Sequence, residues 1–134
     1  MSVSTDGGEK KKWNDIVELL TPICKAYCTD KGFEVCTRAI QVHGGYGYCQ
    51  KYLVEQFARD CKVTSIYEGA NGIQALDLLR RKITLEDGSA FESVILLMKE
   101  AVSKAKEVKE LLFYAGEVEK SISALEAITA YLIE

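Results

Sequence analysis

Two short segments of this sequence hold residue types that could do chemistry. In one, Glu68 is followed by Gly69, Ala70, Asn71 and Gly72. A carboxylate is a simple general base, and a base works only where substrate can lie against it, room that Gly69, Ala70 and Gly72 would supply. In the other, Gln41-Val42-His43-Gly44-Gly45-Tyr46-Gly47 gathers glycines beside the only histidine. Glycine lets a backbone approach closely, and successive N–H groups in such a turn form a concavity suited to a phosphate. Neither segment is specific alone. A carboxylate at the mouth of a helix also complements the helix dipole. The glycine cluster is neither GxGxxG after a strand nor GxxxxGK[ST], so it serves equally as a plain turn.

The elements that must position these segments read as helices. Residues 1–10 are polar and glycine-bearing and are expected to be a disordered leader, with ordered structure starting near Trp13. From Trp13 to Val42 apolar residues recur at helical spacing, with Pro22 bending or restarting the helix because it cannot donate to the preceding turn. Gly44 to Gly47 end it. Residues 51–61 form a second helix, and 62–67, though β-branched, form a connection, since a lone strand would have no ladder partner. A third helix runs from about Gly69 to Ile83 and breaks at Glu86-Asp87-Gly88. Ser89 to Glu92 match a capping box opening a helix that ends near Gly116, and a last helix starts at Glu117. The fold class is therefore all-α, an antiparallel bundle of four to five helices. Residues 11–134 are read as one domain, in which 11–88 hold both chemical segments and 89–134 are a helical extension.

Composition narrows the function classes. Seventeen Lys+Arg against twenty Asp+Glu give a net charge of −3, and the interleaved signs mark no nucleic-acid or membrane-surface partner. The sequence contains no membrane span. Five cysteines, an odd number without a CxxC pair, are expected to be reduced thiols in a cytoplasmic protein, and small core residues. Cys24 and Cys28 would share a helix face, but with one histidine beside a turn no converging ligand set emerges, so no metal is expected.

Gln41-Val42-His43-Gly44-Gly45-Tyr46-Gly47, Val54-Glu55, Arg59-Asp60 and Ile66-Tyr67-Glu68-Gly69 followed by Ile73-Gln74 stand in an order and spacing that resembles the last helical domain of acyl-CoA dehydrogenases. The resemblance is close over residues 13–83, and Leu19 to Tyr27 with Gly72 to Leu78 look most like the bacterial branch that bears a carboxy-terminal extension. It implies that Glu68 removes a proton from the α carbon of an acyl-CoA thioester while the β hydride passes to FAD. It also implies that Gly69 and Tyr67 lie against the substrate, with the N–H of Gly69 or Glu68 polarising the thioester carbonyl. Gln41, Val42, His43, Gly44 and Gly45 would contact the adenosine and pyrophosphate of an FAD bound mainly by a neighbouring subunit, and Ala70, Asn71 and Gly72 would touch FAD near the reacting atoms. The physics fits: an α proton is too weakly acidic for a carboxylate unless the incipient enolate meets aimed donors in a dry site.

The same resemblance implies a homo-oligomer and electrons handed to an electron-transfer flavoprotein. The family's amino-terminal helical and middle β domains have no counterpart in these residues, so the chain is expected to be inactive alone. Two positions depart from the pattern: Ala70 stands where the family usually has threonine, and Leu53 where it has proline. Arg59 and Asp60 suit a structural ion pair or helix-end contact better than catalysis. Two other readings stay open: a non-catalytic oligomerisation or binding module that keeps the fold, and an oxidase relative whose flavin is reoxidised by oxygen.

Overall fold

The structure, a computed structural model, describes residues 7–133. Among them are six α-helices and no strand: α1 (Gly7–His43), α2 (Gly45–Tyr48), α3 (Val54–Val63), α4 (Asn71–Asp77), α5 (Ser89–Lys106) and α6 (Leu112–Ile133). The all-α expectation holds. The chain divides into two compact units, one of residues 20–78 and one of residues up to 19 together with 79 onward, whereas the sequence suggested a change of character at Gly88. All eleven residues singled out for chemistry lie in the 20–78 unit.

Several boundaries differ from expectation. The helix α1 begins at Gly7, ahead of Trp13, so residues 7–10 belong to it; residues 1–6 of the expected leader lie outside the described residues. A first turn needs no buried side chain, and Glu9 there complements the amino-terminal dipole. Pro22 sits inside α1 without ending it. It leaves the Glu18 carbonyl without its i+4 donor, yet the helix runs on, with Ile16 and Leu19 buried just before it. The expected capping box does not form: Gly88, in the left-handed conformation at φ 86, is the N-cap of α5, and no side chain caps it. Ser89 is already helical and cannot reach back as a cap. Finally, α5 stops at Lys106 rather than near Gly116, because the chain reverses through residues 107–111 so that two apolar stripes can face each other.

That reversal builds the core of the second unit. Ile95, Val102, Ala115 and Ile122 form one buried cluster, with Phe91 and Ala105 packed on it. Two ion pairs register the hairpin: Lys99 with Glu126 at 2.7 Å and Lys106 with Glu119 at 2.7 Å. A step of seven forward on α5 is a step of seven back on α6, which makes the pair antiparallel. In the same unit Lys82, at the end of the π-helical turn Leu78–Lys82, is buried and pairs with Glu18 at 3.0 Å.

In the 20–78 unit the chain also doubles back. Gly32 on α1 meets Cys61 on α3 so closely that a Cβ would lie 2.9 Å from its sulfur, and Lys62 Nζ stands 4.9 Å over the Phe33 ring. Burial, and then the neighbouring Cys61, push the Cys36 thiol up from its ordinary value. Cys24, Cys28 and Cys49 are exposed, so the expectation of five small core thiols fails for these three; all five are unpaired. Among the described residues no cluster of three or more metal-ligating side chains forms, and no helix is long and apolar enough to cross a membrane.

Candidate functional site

The end of α1 places the glycine segment. Gly44 takes φ 60, a conformation that a residue with a Cβ rarely adopts, and its N–H donates to the Gln41 carbonyl at 3.1 Å. Gly47 is buried because the chain folds straight back: a Cβ there would lie 2.5 Å from the Ile40 carbonyl oxygen and 2.9 Å from His43 Cβ. His43 Nδ1 donates to the Ala39 carbonyl at 2.9 Å; a carbonyl only accepts, so Nδ1 carries the proton and Nε2 is the open edge. Gln41, Val42, His43, Gly44 and Gly45 are all exposed, and a Cβ on Gly44 or Gly45 would meet nothing within 4 Å. Tyr46 and Tyr52 pack ring on ring at 5.2 Å just beyond.

Glu68 is not at the mouth of a helix. Ala70 is the N-cap of α4 and supplies no side-chain cap, where a hydroxyl would have satisfied a first-turn N–H. Glu68 lies two residues ahead in a bend, at φ 54, with Gly69 at φ 90. For a residue with a Cβ this region costs roughly 1–2 kcal/mol, so the loop must be held from outside. Glu68 is exposed, and among the described residues its carboxylate has no partner. The N–H groups of Glu68, Gly69 and Ala70 likewise take no part in the loop's hydrogen bonds, which leaves an anion-accepting and a proton-accepting group side by side. Tyr67 is half exposed and anchored by its N–H to the Val63 carbonyl at 3.0 Å.

Asn71 behaves differently from the other candidates. Its Nδ2 donates to Asp30 Oδ1 at 2.9 Å, and its Oδ1 lies 3.4 Å from Lys25 Nζ and from Thr29 Oγ1. Its N–H donates to the Ser65 carbonyl at 3.2 Å. A side chain so engaged has no donor left for a ligand, so Asn71 fits a cofactor contact poorly, whereas the exposed and open residues 41–45 fit one approaching from outside. Gly72 also faces open space. Sequence reasoning missed Lys25, Thr29 and Asp30; Lys25 and Thr29 are one turn apart on α1, but nothing local marks them, or Asp30, as partners of a residue some forty positions later. Arg59 pairs with Glu55 one turn back at 2.8 Å, a structural role as expected, while Asp60 is exposed.

Comparison with known proteins gives a consistent answer. Residues 6–83 match the family model for the acyl-CoA dehydrogenase C-terminal domain. Butyryl-CoA dehydrogenase of Syntrophomonas wolfei is 34% identical over 120 residues, covering 90% of this chain and 20% of that protein. The 3-methylmercaptopropionyl-CoA dehydrogenase of Ruegeria pomeroyi is 45% identical over 73 residues, or 54% of this chain and 12% of that protein. The caffeyl-CoA reductase-Etf complex subunit CarC of Acetobacterium woodii is 44% identical over 54 residues, 40% of this chain and 14% of that protein. The chain thus spans a fifth or less of the length of these relatives.

Proposed function

This chain belongs to the acyl-CoA dehydrogenase family, whose C-terminal domain it carries, and from that premise we propose that Glu68 is the base removing the α proton of an acyl-CoA thioester. The observation that supports this most is the pairing of an exposed, unpartnered carboxylate at φ 54 with the free N–H groups beside it. The carboxylate takes the proton, the N–H of Gly69 or Glu68 polarises the thioester carbonyl so that enolate charge has somewhere to go, and Tyr67 flanks the thioester. When bound, FAD accepts the β hydride, leaving the trans-2-enoyl-CoA. Gln41, Val42, His43, Gly44 and Gly45 would hold its adenosine and pyrophosphate end, and Ala70 and Gly72 would lie near its reacting end.

The parts that supply the flavin ring's site belong to the rest of such an enzyme, and we infer that this chain alone turns nothing over. Electrons pass onward to an electron-transfer flavoprotein, a reading supported by the relative named as part of an Etf complex. Self-association is supported by exposed Tyr46, Tyr48, Phe57, Phe113 and Tyr131, more large apolar surface than an isolated domain usually leaves in water. Five unpaired thiols suit a cytoplasmic setting.

The test is Glu68→Gln in the complete flavoenzyme, with flavin bleaching by an acyl-CoA followed in a single turnover. The amide keeps shape and polarity but cannot take a proton, so bleaching should slow by 10²-fold or more, the usual worth of a positioned base at about 10²–10⁴. An unchanged rate rejects Glu68 as the base. The second reading, a module that assembles without chemistry, is favoured by one feature: the α5–α6 hairpin opens an apolar recess of about 270 Å³ lined by Met98, Val102, Leu111, Tyr114 and Val118.

A further inference from the structure

Resting on the assignment of Glu68 as base, the geometry points to Lys25, acting with Asn71, as the residue that positions it. Lys25 is on α1, far from Glu68 in sequence, and half buried. Its Nζ donates at 2.6 Å to the Gly69 carbonyl, one residue beyond the base, and lies 3.4 Å from Asn71 Oδ1. From the α4 side, Gln74 Nε2 reaches the carbonyls of Glu68 and Gly69, both at 3.3 Å. Asn71 is tied back to Asp30 Oδ1 at 2.9 Å and to Thr29 Oγ1 at 3.3 Å. The Gly69 carbonyl is thus held between a cation on one helix and an amide on another.

The residue types follow from what the loop demands. Two successive residues have positive φ, and the one bearing a side chain is held there against a steric cost. A hydrogen bond from a charged donor stabilises more than one between neutral groups, so an ammonium offsets the strain where a neutral donor barely would. Apolar packing offers no substitute, because Ile66, Tyr67 and Ile73 around the loop are all half exposed or more. Without the ammonium, the peptide between Gly69 and Ala70 is free to rotate, the Glu68 backbone can return to negative φ, and the Cα–Cβ bond aims elsewhere. Lys25 bonds a backbone carbonyl and not substrate, so it is a positioning residue.

The experiment pairs activity with a loop readout. In the complete flavoenzyme, Lys25→Met should lower kcat by about 10²-fold, the usual effect of a misplacement near 1 Å, with KM unchanged because ground-state binding is not its task. Lys25→Arg, which keeps a cationic donor, should recover most of the loss. In the chain itself, hydrogen exchange should show the Asn71 amide, bonded across the loop to the Ser65 carbonyl, losing protection in Lys25→Met while Ala58 in α3 keeps its own. A Lys25→Met enzyme with wild-type kcat, or with a fully protected Asn71 amide, overturns the inference. Should Lys25→Met not fold, Asn71→Ala takes its place, and wild-type kcat there overturns it equally. If Glu68→Gln alone leaves bleaching unchanged, the base assignment fails separately, and the exchange result still decides whether Lys25 holds the loop.

Discussion

Replacing Glu68 by glycine and by alanine measures the strain stored at the site. At an ordinary exposed position with negative φ, glycine is less favourable than alanine by roughly 0.4–1 kcal/mol, because its unfolded chain has more freedom to lose. Glu68 is at φ 54, where any residue with a Cβ carries a cost of roughly 1–2 kcal/mol that glycine lacks. The two effects oppose, and the second is larger. Glu68→Gly should therefore be more stable than Glu68→Ala by about 0.8 kcal/mol, the sign opposite to that at a normal surface site. Side-chain contacts do not complicate the comparison, since the carboxylate has no partner among the described residues.

Urea unfolding is the natural assay. If both variants show the same dependence on denaturant, the difference in midpoint reports stability directly. In a thermal melt of a chain this size the same difference amounts to about 3 °C. Both variants lose the carboxylate, so their stability difference is independent of any role it has as a base. An alanine variant as stable as the glycine variant, or more so, would refute the left-handed backbone at Glu68 and the need for a clamp.

Two further outcomes test the packing. Gly47→Ala places a methyl 2.5 Å from the Ile40 carbonyl oxygen and should cost about 2 kcal/mol through overpacking, read as a lowered melting temperature; a wild-type melt would contradict the tight turn after α1. At the Lys82–Glu18 pair the lysine side chain is 10% exposed and the glutamate 57%. Glu18→Gln weakens the partner of a buried ammonium and should cost about 2 kcal/mol, whereas Lys82→Met leaves only a hydrated carboxylate and should change stability by less than about 0.5; the reverse order in paired melts would refute it.

What could be read from the sequence was whatever local chemistry decides. Gly44 had to end α1 because the chain needs positive φ there, and residues 62–67 could not be a strand without a partner. Boundaries set by distant packing were not readable. Periodicity runs smoothly through Val102, Ala105, Val108 and Leu112, so nothing local marks the reversal at 107–111, which exists because α6 comes back to cover Val102. Pro22 suggested a break since the lost bond is local, while the compensating burial of Ile16 and Leu19 is not. The site itself divides the same way. Glu68 and residues 41–45 stood out by type and spacing, but the partners of Asn71, namely Lys25, Thr29 and Asp30 some forty positions earlier, did not.

The two units differ in how they hold their parts, and this bears on how the site would work. The α5–α6 hairpin is held by Ile95, Val102, Ala115 and Ile122, a conventional apolar core. The 20–78 unit buries little: among the described residues Pro22 and Ala58 are its buried apolar side chains, and its loop is fixed by Lys25, Asn71, Gln74 and Asp30 instead. Polar clamps fix direction well but exclude water badly. An exposed carboxylate is a feeble base toward carbon, since water screens the charge that must develop and no aimed donor outcompetes it. The same unit leaves Ile66, Tyr67, Ile73, Tyr46 and Tyr48 exposed near the two chemical segments, an apolar surround of the kind a ligand and a neighbouring domain would cover. On this reading the chain contributes aim, and the desolvation that turns aim into catalysis has to come from what lies against it.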